Sequence, residues 1–349
     1  MTQKDAKSVF LGGVTGKAAF GANQKDVKRE LERLNGALLR EKDTLVPDAE
    51  LAQKVLEIAE TSLHNPNGAF ALKILCGMVD KDRNLLNAAL VRRITTIAVT
   101  NEASAFVRDA AQNTLGRLLE PSRNSGEMAK AAVAVAKNHV GIQDIDIRIA
   151  VQRTLQQIVS KNQEYAQEIL AMAGIAVSDP VRDVVKAGQK TRAAVIQNNP
   201  ELANEALARG LARSSVLDSD ADIQFVALET LKILLDKEPK FGGAALAEVI
   251  SAHDNGQIKA LSRSGDYYGI YQPETIMFHT IGNILTKCPD QVGHAGVARL
   301  AAEVMVAERN SVWDEIRQAA MSVDDINKPA AASLPTRTPV KPGISPKLG

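Results

Sequence analysis

Val107-Arg108-Asp109-Ala110-Ala111-Gln112-Asn113-Thr114-Leu115 and Ile147-Arg148-Ile149-Ala150-Val151-Gln152-Arg153-Thr154-Leu155 are two versions of one phrase. Arg, Ala, Gln, Thr and Leu coincide at a shift of 40 residues, and an aliphatic residue opens both copies. Within each copy the apolar positions recur three and four apart, the spacing of one buried helix face. Forty residues earlier, the stretch from Asn67 keeps Ala71, Leu72 and Leu75 but lacks the Arg. Further on, Ile223 to Leu235 keeps Ala227, Thr230, Leu231 and Leu234, while Val181-Arg182 and Ile316-Arg317 keep the opening dipeptide. A unit of this length holds two helices that cannot bury their apolar stripes alone, so each unit must stack on its neighbours. The expected fold is all-α: an α-solenoid, or superhelix, of about seven antiparallel helix pairs.

Outward from these copies the chain reads as one helix after another, with hardly any alternating Val/Ile/Thr stretch that would make a strand. A leading helix is expected over 24–40, where Val27, Leu31, Leu34 and Leu38 recur between charged residues. Helix pairs are expected over 48–324, as 48–63, 67–79, 84–99, 103–119, 126–139, 145–160, 162–177, 180–196, 200–213, 221–236, 241–252, 273–287, 291–308 and 311–322. Pro47, Pro66, Pro121, Pro180, Pro200, Pro239, Pro273 and Pro289 all fall where the periodic pattern breaks, as helix boundaries require. The domain organisation is therefore a flexible N-terminal segment (1–23), the solenoid (24–325) and a disordered Pro-rich basic tail (326–349).

Composition narrows the function classes. Of 349 residues 45% are hydrophobic and 24% charged, which suits a folded soluble chain. The 42 basic and 41 acidic side chains nearly cancel, so no whole-molecule field gathers nucleic acid or anionic membrane. Aromatic residues make up only 3%, with Trp313 the single tryptophan, which leaves little material for a broad base-stacking or sugar-binding surface. Cys76 and Cys288 sit in no Cys-x-x-Cys pair, and the simplest setting for them is a reducing, cytoplasmic one. No export signal is apparent near the N-terminus, and the longest apolar run, Ile169 to Val177, is too short to span a bilayer.

The opening phrase of the second helix in each unit, Asp146-Ile147-Arg148, Asp179-Pro180-Val181-Arg182, Asp222-Ile223-Gln224 and Asp314-Glu315-Ile316-Arg317, resembles the HEAT-repeat family. In that family the second helix opens with Asp, an aliphatic residue and Arg, then places Ala and Leu on its buried side. Three departures stand out: Gln224 replaces the Arg, Gln189 falls where an apolar residue is expected eight after Val181, and the Ile316 copy runs out near Asp324. The resemblance implies an architecture, and binding roles more often than catalysis.

No motif assigns chemistry. Gly12-Gly13-Val14-Thr15-Gly16-Lys17 lacks both the first glycine and the Ser or Thr of a phosphate loop. His64, His139, His253, His279 and His294 form no metal-ligand spacing, and there is no Gly-x-Ser-x-Gly elbow. No catalytic residue, cofactor or metal is therefore expected. Asp at a helix start caps backbone N–H groups, and a nearby Arg can bond the next unit's Asp, which gives the repeated Asp and Arg a structural role.

Two features suggest binding. The segment 253–273 inserts about 20 residues between helices and holds Tyr267, Tyr268 and Tyr271 beside His253 and Arg263, a composition suited to gripping a partner. The second helices also carry a basic strip of Arg108, Arg148, Arg153, Arg182, Lys186 and Lys190. The sequence thus suggests a non-enzymatic scaffold or adaptor that binds a protein or peptide through its second-helix face and the Tyr-rich loop. The alternative is nucleic-acid binding, resembling HEAT-like DNA glycosylases, along the basic strip; a membrane partner is not expected. Leu115→Asp or Leu155→Asp is expected to uncouple neighbouring units, visible as loss of a cooperative helical melting transition by circular dichroism.

Overall fold

The computed structural model describes residues 24–39, 47–120, 125–263 and 273–290. Among them run fourteen α-helices: α1 Gln24–Leu39, α2 Ala49–Thr61, α3 Pro66–Lys81, α4 Ala88–Ala98, α5 Ala105–Leu118, α6 Ser125–His139 and α7 Ile145–Lys161, then α8 Ala166–Val177, α9 Arg182–Asn198, α10 Glu205–Leu217, α11 Ala221–Lys237, α12 Gly242–Asp254, α13 Gln257–Arg263 and α14 Pro273–Lys287. Short 3-10 turns, Arg83–Leu85, Pro200–Leu202 and Pro239–Phe241, precede α4, α10 and α12. No strand occurs among the described residues. The expected helices 291–308 and 311–322, the N-terminal segment 1–23 and the tail 326–349 lie outside them.

Side chains at the helix starts set the boundaries. Asp48 accepts from the Leu51 N–H at 2.9 Å, Asn87 from Leu90 at 2.9 Å and Asn204 from Leu207 at 2.9 Å. In the two units read as opening on Asp146 and Asp222, the cap stands two residues earlier than the sequence suggests: Asp144 accepts from Ile147 (3.2 Å) and Asp220 from Asp222 (2.9 Å). That leaves Asp146 and Asp222 in the first turn, where their carboxylates are available to a neighbouring unit.

Helices pair as α2/α3, α4/α5, α6/α7, α8/α9, α10/α11 and α12/α14, and the second members stack on one another in the order α3, α5, α7, α9, α11, α14, with α1 laid against α3. This inner row is the solenoid's continuous layer. One helix was missed by the sequence reading: α13 occupies part of the segment taken as an uninterrupted loop. Gly256, at φ 68°, closes the end of α12 in a conformation that favours glycine, and Ile258 then buries itself so that α13 packs on α14, α12 and α10.

The inner-row helices share one buried pattern. Val107, Ala111, Gln112, Thr114, Leu115 and Leu118 in α5 match Ile147, Val151, Gln152, Thr154, Leu155 and Ile158 in α7, all enclosed. The step from α7 to α9 is shorter than the previous one, so Val184, rather than Val181, stands in the place of Ile147. Gln189 and Thr191 then fall in register with Gln152 and Thr154, which explains the glutamine at a position where the sequence alignment expected an apolar residue. These buried polar groups link units: Gln112 Nε2 donates to the Ala150 carbonyl (3.2 Å), Thr191 Oγ1 to that of Gln152 (3.2 Å), and Gln189 Nε2 to Ser214 Oγ (3.2 Å).

The same register isolates Arg192. Its counterparts are Leu75, Leu115, Leu155, Leu231 and Ile281, all buried apolar residues. Arg192 is largely enclosed, its Nε finds no hydrogen-bond partner, and burial holds the guanidinium below its ordinary range. The buried apolar side chains divide at this point into two clusters, one running from Leu31 to Val195 and the other from Ile196 to Cys288. Leu170 of α8 is packed against both. Because a largely buried cation without a counter-charge costs stability and a leucine there would restore the apolar register, Arg192→Leu is expected to stabilise the fold by about 1–3 kcal/mol. The check is the urea midpoint at an unchanged denaturant slope.

Candidate functional site

Where α1, α3 and α5 lie side by side, their outward faces enclose a groove of about 710 Å³. Helical spacing puts Phe70, Lys73 and Cys76 of α3 along one wall and Phe106, Ala110, Asn113 and Arg117 of α5 along the other, with Lys25, Lys28 and Glu32 of α1 at the side. The size falls within the range of pockets that enclose a small ligand or a few side chains. Phe106 is 62% exposed, the largest exposure among the aromatic residues of the described helices, although its neighbour Val107 is fully buried.

Small residues create the groove. The α3 residue equivalent to Arg108 is Gly68, and a Cβ there would lie 2.4 Å from the carbonyl oxygen of Ser62, so α3 approaches the end of α2 too closely for any side chain. The next position is Ala69. The long arms that later units carry at this level are therefore missing from α3. Correspondingly, Phe106 stands where later units have Asp146 and Asp222, the carboxylates that receive a cation from the preceding unit. With Gly68 and Ala69 at the start of α3 in place of a cation to receive, this position carries an exposed ring.

The charges around the groove are predominantly positive. Lys28 lies 3.8 Å from Glu32, and Arg117 is paired with Asp80. Lys73 is exposed and has no ion-pair partner among the described residues. Burial pushes the Cys76 thiol up, opposed by the nearby Arg117 charge, so this cysteine is a poor nucleophile.

The basic strip expected from the sequence is present on the inner row but largely neutralised. Arg108 lies 3.6 Å from Asp146 and donates to the Ala103 carbonyl at 2.6 Å. Arg148 Nε lies 2.9 Å from Asp179, the most enclosed of these pairs. Arg153 lies 3.4 Å from Asp109, Arg182 lies 4.0 Å from Asp220, and Lys186 is paired with Asp222, whose carboxyl it holds below the usual range. Lys190 contributes to the same lowering of Asp222. The repeated Arg and Asp thus form bridges between units, worth at most about 1 kcal/mol each where exposed.

The other predicted site is only partly described. His253 ends α12, half-buried, with Nδ1 3.4 Å from Asp254 Oδ1, and Arg263 is the last residue of α13. Tyr267, Tyr268 and Tyr271 lie outside the described residues. The groove itself was not anticipated; Phe106 and Gly68, departing from the repeat at equivalent levels of adjacent units, are the signal that could have revealed it. No cluster of His, Cys, Asp and Glu suited to a metal occurs among the described residues, and no described helix is long and apolar enough to cross a membrane.

No known protein-family model matches this chain, and no characterised protein matches it by sequence. Among solved structures it is similar to two engineered proteins, both targets of the Northeast Structural Genomics Consortium. One is 14% identical with a TM-score of 0.45, the match covering 86% of this chain and 81% of that one. The other is 16% identical with a TM-score of 0.38, covering 74% and 98% respectively.

Phe106 contributes to the groove rather than to the core. Phe106→Ser is expected to leave the melting temperature nearly unchanged, whereas Leu115→Ala, on the buried face of the same helix, is expected to cost about 2–5 kcal/mol. Thermal and urea unfolding followed by circular dichroism distinguish the two.

Proposed function

We propose that this chain is a non-catalytic binding scaffold, a HEAT-like solenoid whose inner row holds a protein partner. The groove of α1, α3 and α5 is its principal contact. The observation that carries this reading is Phe106, 62% exposed beside an apolar recess on an otherwise well-buried helix. A solvent-facing ring over such a recess is the usual make-up of an interface anchor. The Tyr-rich segment with Tyr267, Tyr268 and Tyr271 is a second contact in this proposal. Cys76 and Cys288 are buried free thiols, in keeping with a reducing, cytoplasmic setting.

Nucleic-acid binding draws less support. A single-stranded or duplex backbone needs a continuous cationic track, and the arms of Arg108, Arg148, Arg182 and Lys186 are each engaged by a carboxylate. The test is quantitative affinity capture from native-host extract with the wild-type chain, Phe106→Ser and Lys190→Glu. A protein retained by the wild type and by Lys190→Glu, and depleted at least tenfold with Phe106→Ser, is the expected result. Equal retention by all three would remove the groove from the interface.

A further inference from the structure

We infer that the groove takes an acidic peptide segment of another protein, seating one large apolar side chain against Phe70 and Phe106 with a neighbouring carboxylate on Lys73. This rests on the reading of the groove as the partner site and adds the chemistry of the occupant. Three observations carry it.

The first is charge. Of the cations that line the groove, Lys28 and Arg117 are paired with Glu32 and Asp80, whereas Lys73 is exposed and has no acidic partner among the described residues. An exposed ammonium beside apolar walls gains most from a carboxylate brought in with an apolar group, because the walls exclude part of the water that would screen the pair. The second is the pair of rings. Phe70 on α3 and Phe106 on α5 face one recess, and aromatic or branched side chains bury the most area there while keeping favourable ring contacts.

The third is the sign of other candidates. Residues 1–23 hold three lysines and one aspartate, and residues 328–349 hold four basic residues and no acid, so neither of these two segments carries the sign that fills the groove. A nucleic acid would find rings and cations here, but further along the row Arg108, Arg148 and Lys186 are already bridged to carboxylates. Such a ligand would gain no extended track. An acidic peptide needs none, since its apolar anchor and one or two carboxylates fit within a single recess.

The experiment is selection of a random dodecapeptide phage library on the immobilised full chain, followed by titration of synthetic versions of the enriched peptides by fluorescence anisotropy. The expected outcome is enrichment of sequences with Phe, Trp or Leu flanked by Asp or Glu. Their affinity should fall at least tenfold in Lys73→Glu and in Phe106→Ser, remain unchanged in Lys190→Glu, and weaken with added salt. Lys73 and Phe106 are both exposed, so these variants should melt like the wild type, and melting curves check this. Enrichment of neutral or basic peptides that depend on Phe106 would overturn the acidic assignment while leaving the groove as the partner site. Enriched acidic peptides indifferent to both substitutions, or no enrichment at all, would remove the groove as well.

Discussion

Everything in this fold depends on contact between consecutive inner-row helices. Leu75, Leu115 and Leu155 are fully buried, yet no single helix pair contains enough apolar surface to enclose them; the neighbouring unit completes each enclosure. Hydrophobic contact alone would allow one unit to slide on the next. Enclosed amide and hydroxyl groups prevent this, since buried Gln112 and Thr191 and half-buried Gln156 each donate to a main-chain carbonyl of the following or preceding inner helix. A slip of one residue would leave these groups unpaired in the interior, at a cost of about 1–3 kcal/mol for each.

The groove follows from the same stacking rule applied to an irregular unit. In α5, α7 and α9 the start of the helix carries long arms that reach across to the next unit's carboxylate. In α3 the close approach to Ser62 permits only glycine at the equivalent place, and Ala69 follows. The missing arms leave a trough, and Phe106, relieved of the ionic role of its counterparts, stands at its edge. The trough is thus a local exception to a repeat, one that reshapes the surface without changing the architecture.

The architecture was legible because burial periodicity is local. Ala and Leu spaced three and four apart predict helices, and the match between Val107–Leu115 and Ile147–Leu155 predicts stacking. Register was less legible: Val181-Arg182 looks like Ile147-Arg148, but Val184 takes that place because the Gln-x-Thr pair and the following apolar positions decide the alignment. The short helix α13 escaped because seven residues are too few to establish a period. The site escaped for another reason. A basic strip read from composition ignores the acids brought opposite by stacking, so Arg108, Arg148 and Lys186 looked available and are bridged, while Lys73, on a unit without the Arg signature, attracted no notice.

Arg192 interrupts the apolar ladder near its middle, at the boundary between the two buried clusters. The helix that carries it is nonetheless packed closely on α7, α8 and α11. At this one place the seam is sewn by directional bonds as well as apolar area: Gln156 reaches the Ala187 carbonyl and Thr191 that of Gln152, while Leu170 touches both clusters.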